Sequence, residues 1–440
     1  MSINELKRTV TSIEAIAIVV GAIIGSGIFL KPGVVFNNAG SPNLGLLAWI
    51  VGGFITLASA LTIAEVAAAI PRTGGLYIYL EELYGDVWGF LLGWVQTVIT
   101  YPATIAAHAI AFVTFSTFFL PMNGVQQKLM AISFMLFLLF MNILATKFGS
   151  VIQVLSTVGK LIPIVAIITY GLIKGTAHDF SMMQLTTTGA GFGVAMLGTL
   201  WAYNGWIHVT NMAGELKDPV RQIPRSLIIG VVAVIGIYVL VNIAMLNVLP
   251  IGNIISSKNP SVDIATILFG SSGAIFIVAG IMVSVFGTMN GDIMTGARVP
   301  FAMAERRQLP FHKVLAKVHP TFRTPTNALI LECAIAVIYI ITGSFHMLTD
   351  LLVFVLWIFY TLGVVSIFVL RRKKGQYQTK YHVPLYPWIP LIGIIGGIYV
   401  LGCTVVNQTI NSFIGIGITL LGFPLFYYLK RRNKEQQQLL

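Results

Sequence analysis

Ile23-Ile24-Gly25-Ser26-Gly27-Ile28 lies in the middle of an apolar run from about residue 12 to 39, with no charge between Glu14 and Lys31. Two glycines flanking a serine weaken a helix and favour an opened backbone there. A second weak point, Trp201-Ala202-Tyr203-Asn204-Gly205-Trp206, lies in the run from about 190 to 215. In the order of apolar runs these are the first and the sixth. A shift of five inverts a segment in the membrane, so matched breaks at these two places are the trace expected of inverted-topology repeats with discontinuous helices. Small-residue packing, with Gly21 and Gly25 on one face, would explain the first break alone. The matching positions favour the repeat.

Outward from these breaks, further apolar runs fall at roughly 42–69, 84–118, 126–146, 149–174, 225–250, 270–300, 324–343, 347–370, 386–407 and 410–429. Each is near the ~20 residues that cross a hydrocarbon core. Of 440 residues, 56% are hydrophobic and only 10% charged, and the mean hydropathy is +0.87. A soluble domain carries about 25% charged residues. A soluble enzyme and a nucleic-acid-binding domain are therefore excluded. The expected fold class is an all-α membrane protein of twelve transmembrane helices. Its parts are an N-terminal segment 1–11, a five-helix repeat 12–174, an inverted five-helix repeat 190–370, two further helices within 386–429, and a tail 430–440.

The net charge of +12 is concentrated in loops that an even number of spans places on the side of the N-terminus. Both termini are thus expected in the cytoplasm of a cell membrane. The clusters Arg371 to Lys374 and Lys430 to Lys434 read first as topology signals and only second as anionic-lipid sites. Cys333 and Cys403 lie inside apolar runs and read as small hydrophobic residues. The first span lacks a signal-type cleavage site and is expected to be retained.

An unwound backbone at membrane depth needs partners in protein, water or ligand. A zwitterion supplies both signs. Amides freed near Ser26 and Gly27 suit a carboxylate, while carbonyls near Ile23, Ile24, Trp201 and Ala202 suit an ammonium. Glycines such as Gly25 let a ligand approach the backbone. An α-amino acid fits this geometry better than a sugar, an inorganic ion or a bulky organic cation.

With Val20 to Phe29, Pro71-Arg72-Thr73-Gly74-Gly75-Leu76-Tyr77, Trp201 to Trp206 and Gly214-Glu215-Leu216-Lys217-Asp218-Pro219, the chain resembles the L-amino acid transporter branch of the amino acid–polyamine–organocation superfamily. The resemblance covers essentially the whole chain. It implies a LeuT-like core of two inverted five-helix repeats and sodium-independent exchange of amino acids. It further implies that Ser26 and Gly27 bind the substrate carboxylate, that Ile23 and Trp201 offer carbonyls to the amino group, and that Trp201 is the gating aromatic. Asn204 stands where some relatives that accept cationic amino acids have aspartate, which favours neutral substrates, small ones in the first instance. Tyr238 matches a tyrosine lining the site; a phenol satisfied by a neighbouring carbonyl is the structural alternative.

Lys160 is read as the only basic residue well inside a span, with Lys31 placed near the outer end of the first. Two roles stay open for Lys160. It is a fixed cation donating to span-1 carbonyls and to Ser284, in place of the sodium site of related folds, or it is a titrating group of a proton-coupled symporter. Glu65, Asp292 and Glu332 are expected to pair with loop arginines such as Arg72 or Arg298. His108, His208 and His346 are scattered and read as structural, with no metal spacing and no cofactor implied. The basic connection 296–310 is an inward latch or a generic juxtamembrane loop. Asn407-Gln408-Thr409 is a weak glycosylation match. Animal relatives join a glycoprotein through a cysteine between spans 3 and 4, whereas 120–127 here has none. No covalently linked ancillary subunit is expected, nothing calls for a second copy, and the partners are amino acids and the lipid bilayer. A membrane-embedded enzyme is the remaining alternative, and no convergent catalytic groups support it.

Overall fold

The structure, a computed structural model, describes residues 10–72, 74–144, 159–180, 191–213, 216–322, 324–373, 377 and 379–438. In chain order the helices are α1 Ser12–Ile23, α2 Gly27–Leu30, α3 Pro32–Ala39, α4 Pro42–Ala69, α5 Leu76–Tyr84, α6 Asp86–Val95, α7 Tyr101–Ser116, α8 Gly124–Leu144, α9 Leu161–Lys174 and α10 Phe192–Ala202. They continue as α11 His208–Asn211, α12 Pro219–Val248, α13 Ile251–Ser256, α14 Pro260–Gly296, α15 Arg298–Glu305, α16 His312–Leu315, α17 Thr326–Thr342, α18 Phe345–Arg372, α19 Trp388–Asn407 and α20 Thr409–Gln438. Among the described residues no strand forms beyond an isolated bridge between Val10 and Leu216. Among the described residues nine helical stretches are long and apolar enough to cross a membrane, and three shorter apolar helices, α9, α10 and α17, occupy further runs.

Local chemistry fixes many of these ends. Thr11 and Glu14 form a reciprocal capping box at α1, satisfying two amides that the first turn leaves open. Ser41 caps α4 with Pro42 at its first position, and Asp218 caps α12 ahead of Pro219. Proline suits that position because it has no amide to lose. Between α6 and α7 lies a π-helical segment, Gln96–Thr100, in which Tyr101 donates five residues back to Gln96. Pro102 has no N–H for the Val98 carbonyl, and the Tyr339 hydroxyl takes that place at 2.9 Å. The sequence pattern marks this span as one plain helix; the bulge follows from the missing donor.

The eighth run also differs from expectation. α14 starts at Pro260, ten residues ahead of the expected boundary, because a kink at Gly270 (φ 68) joins two helical pieces.

The helices group into two compact units, each drawing on both halves of the chain. The first holds Met1–Gly89, Leu172–Ser257 and Leu356–Thr409; the second holds Phe90–Gly171, Lys258–Val355 and Ile410–Leu440.

Candidate functional site

Both expected breaks exist, and both lie in the first unit. α1 ends at Ile23, Ile24 is extended (φ −72, ψ 102), and α2 starts at Gly27. α10 stops at Ala202, a turn runs over 203–207, and α11 resumes at His208. The two opened segments touch through their glycines. A side-chain carbon on Gly27 would lie 2.7 Å from Ala202 Cα, and one on Gly205 (φ +105) would lie 2.5 Å from the Ala22 carbonyl oxygen. Only glycine permits both approaches, and Gly205 additionally holds a left-handed conformation.

The polar groups divide into used and unused. Ser26 is fully buried, and its hydroxyl has no hydrogen-bond partner among the described residues. The amides of Ser26, Gly27 and Ile28 precede the first bond of the outer turn, from Phe29 N to Ser26 O at 3.2 Å. On the carbonyl side, the Tyr238 hydroxyl lies 3.1 Å from Ile23 O and 2.9 Å from Ala202 O. One phenol carries one proton, so it is shared between the two breaks. Tyr238 therefore both satisfies its hydroxyl on neighbouring carbonyls and lines the junction. Trp201 O accepts from Asn204 N at 3.0 Å.

Around this junction Trp49, Tyr203 and Tyr238 form an aromatic cluster with centroid distances of 6.2, 5.6 and 5.1 Å. Tyr203 donates to Trp49 O at 3.0 Å. The side-chain oxygen of Asn204 accepts from Tyr360 at 3.2 Å, and the Tyr360 ring packs on Trp206 at 5.4 Å. Tyr360 carries no local sequence motif. A mid-span phenol that must find a partner was the available signal. Thus Ile23, Gly25, Ser26, Gly27, Trp201, Ala202, Asn204 and Tyr238 fall on one connected junction.

Lys160 and Ser284 belong to the second unit. Lys160 is 1% exposed, beside Gly159, whose missing side chain faces Val283 of α14. The expected contact to Ser284 is not made: its buried hydroxyl has no partner among the described residues. Lys31 lies just past the end of the first apolar stretch, Ser12–Leu30, as expected, but it does not reach out to solvent. Lys31 is fully buried, because Pro32 continues the helical line into α3 and the lysine stem runs toward Gly198 of α10.

Of the three carboxylates expected to pair with loop arginines, Glu65 does so with an arginine beyond its expected span, whereas among the described residues Asp292 and Glu332 do not. Glu65 pairs with Arg371, not Arg72: Nε to Oε1 is 3.0 Å and Nη2 to Oε2 is 2.8 Å. Val383 N donates to the same carboxylate at 2.6 Å, and His382 lies 3.5 Å away. α18 runs to Arg372, far enough to bring Arg371 to Glu65, while Arg72 turns to Glu82. Tyr381, in the loop after α18, donates to Leu61 O at 3.4 Å; burial, with the Glu65 charge second, pushes its phenol up to about 12. Asp292 pairs with His108 at 2.8 Å. Glu332 is fully buried with neither oxygen hydrogen-bonded, while Arg298 is exposed. Among the described residues no group of three or more His, Cys, Asp or Glu could hold a metal ion.

Comparison with known proteins gives the family. The model of a family described as amino acid permease matches residues 11–427. The chain belongs to the amino acid permease family. This permease is 42% identical over 431 residues to the serine/threonine exchanger SteT of Bacillus subtilis (strain 168), covering 98% of each chain. It is 30% identical over 436 residues to the large neutral amino acids transporter small subunit 2 of Homo sapiens, covering 96% of this chain and 80% of that one. To the Asc-type amino acid transporter 1 of Mus musculus it is 28% identical over 437 residues, with 96% and 81% covered. The permease is accordingly a bacterial-type member of the L-amino acid transporter group, a multi-pass membrane protein of amino acid transport and not an enzyme.

Proposed function

We propose that this permease exchanges neutral, small L-amino acids across the cell membrane by alternating access, without sodium. The observation that carries the proposal is the junction of the two broken segments. A fully buried serine hydroxyl without a partner among the described residues stands on one side, and the carbonyls of Ile23 and Ala202, bridged by Tyr238, stand on the other. A zwitterion meets both signs of this pair: its carboxylate takes the Ser26 hydroxyl and the amides through Gly27, and its ammonium faces the carbonyls of Ile23, Trp201 and Ala202. Asn204 supplies no negative charge for a second ammonium.

In this scheme the twelve apolar runs are twelve crossings. Segments 12–174 and 190–370 are inverted repeats, and 386–429 is an added pair. Both termini face the cytoplasm, and Trp201 closes over the substrate. Lys160 and Ser284 serve coupling in the second unit. The similarity to a serine/threonine exchanger supports small substrates, and no covalent subunit is required.

The test is counterflow. Proteoliposomes preloaded with unlabelled serine take up labelled serine rapidly, and empty vesicles do not. Equal uptake into empty vesicles overturns exchange, and concentrative uptake driven by an inward proton gradient would instead make the chain a symporter.

A further inference from the structure

Glu332 on α17 is fully buried, and both its oxygens lack a hydrogen-bond partner among the described residues. The exchange mechanism above does not use it. Its carboxyl fills a slot shaped by two neighbours: a side-chain carbon on Gly296 of α14 would overlap Oε1 and would lie 2.8 Å from Cδ1 of Tyr101 on α7. Gly296 thus leaves the room that the Glu332 carboxyl occupies. An ionised carboxylate without donors is among the most costly groups a membrane helix can bury, whereas a neutral acid of the same shape is accommodated. A metal ion asks for several converging oxygens. A proton asks for one.

The neighbours supply a route. Asp292 lies four residues before Gly296 on α14, one helical turn from the slot. It is hydrogen-bonded to His108 of α7 at 2.8 Å, with its side chain 11% exposed. Asp292 acts electrostatically on Glu332 and also on Lys160. The Tyr101 phenol of α7 and the neighbouring Cys333 thiol also interact electrostatically with Glu332, and Arg298 of α15 acts on Tyr101. Lys128 of α8 binds Ile341 O; Arg298 and Glu305 of α15 and Lys313 of α16 are exposed, His312 is partly so, and Cys333 follows Glu332 on α17 itself.

We propose that Glu332 is a proton-binding site, loaded and unloaded through the Asp292–His108 pair, and that amino acid exchange by this permease depends on pH through it. The proton passes from water to the His108–Asp292 pair and then to a Glu332 oxygen; only O–H and N–H bonds form and break. The second half of the proposal rests on the exchange function, and the first half does not.

The experiment has two arms. In the first, the wild-type protein in proteoliposomes is treated with a hydrophobic carbodiimide, which reacts with protonated carboxyl groups in apolar surroundings, and the adduct is located by peptide mass. The expected result is modification at Glu332 that slows severalfold between pH about 6 and about 8.5. No adduct there, or a rate unchanged across that range, overturns the proton site. This arm needs no variant and no transport, so it stands even if exchange fails. In the second arm, serine counterflow is followed against pH for wild type, Glu332→Gln and Asp292→Asn. The expected result is a severalfold pH dependence in wild type that flattens in Glu332→Gln and shifts in Asp292→Asn. A wild-type pH profile retained by Glu332→Gln overturns the link to exchange, as does wild-type exchange that is independent of pH. A rate that instead follows sodium or potassium at fixed pH assigns the slot to a metal cation and overturns the proposal.

Discussion

Glu65 and Glu332 are the same residue type, and both are removed from solvent at 1% and 0% exposure. Their surroundings are opposites. Glu65, near the end of α4, receives two bonds from Arg371 and one from Val383 N, with His382 alongside. Glu332, within α17, lies against Gly296, and its oxygens have no hydrogen-bond partner among the described residues. A buried carboxylate with a guanidinium fork and a backbone amide is a charge the fold has neutralised, and it ties α4, α18 and the loop after α18 together. A buried carboxyl without donors is tolerated in a different way, as an acid that keeps its proton. The same side chain serves as a clasp in one unit and as a titrating group in the other.

The largest expected effect comes from unbalancing the clasp. Glu65→Gln leaves the Arg371 guanidinium partly buried without its counter-charge and should cost about 3–5 kcal/mol, read as a lower thermal unfolding midpoint in detergent. An unchanged midpoint would remove the contrast between the two glutamates. Replacing both partners, as Glu65→Leu with Arg371→Leu, should recover most of that loss, because the uncompensated charge is gone; a double variant as unstable as the single one would place the cost in packing. Glu332→Gln should alter stability by no more than about 1 kcal/mol, since no hydrogen bond or ion pair is lost. A loss as large as that of Glu65→Gln would reveal a partner for Glu332.

Smallest is Tyr381→Phe, which gives up one long hydrogen bond beside Glu65 and should cost about 0.5 kcal/mol. Its phenol holds its proton more tightly in the folded chain than in the unfolded one, because burial and Glu65 raise it to about 12. Wild-type stability from this group therefore falls only as pH rises above about 10. The wild-type and Tyr381→Phe stability curves should run parallel from pH about 6 to about 9, and divergence in that window would contradict the neutral phenol.

Much of the fold was legible because it depends on runs of residues. The run 42–69 reproduces α4 to the residue, since Ser41-Pro42 starts it and Pro71 follows its end. Both breaks were legible for the same local reason: glycines interrupt otherwise continuous apolar runs. What escaped the pattern depended on contacts between distant segments. The π-helical segment before α7 follows from Pro102 together with Tyr339, far along the chain. Lys31 lay near an expected span end, where a long side chain ordinarily reaches water, yet its stem is held against α10. Asn204 was singled out, but the Tyr360 hydroxyl that occupies its carbonyl was not.

By itself, then, the sequence determined the solvent, the helical class, the places where helices open and the kind of ligand such openings favour. Those properties come from hydropathy and backbone preference, which act over a few neighbouring residues. Tertiary structure alone decided which buried charges are answered. Partner choice joins Glu65 to Arg371, 306 positions apart, sets Tyr238 across two breaks, and leaves Glu332 without a hydrogen bond among the described residues. In a low-dielectric interior that geometry, and not residue type, determines whether an ionisable group becomes a clasp or a carrier of protons.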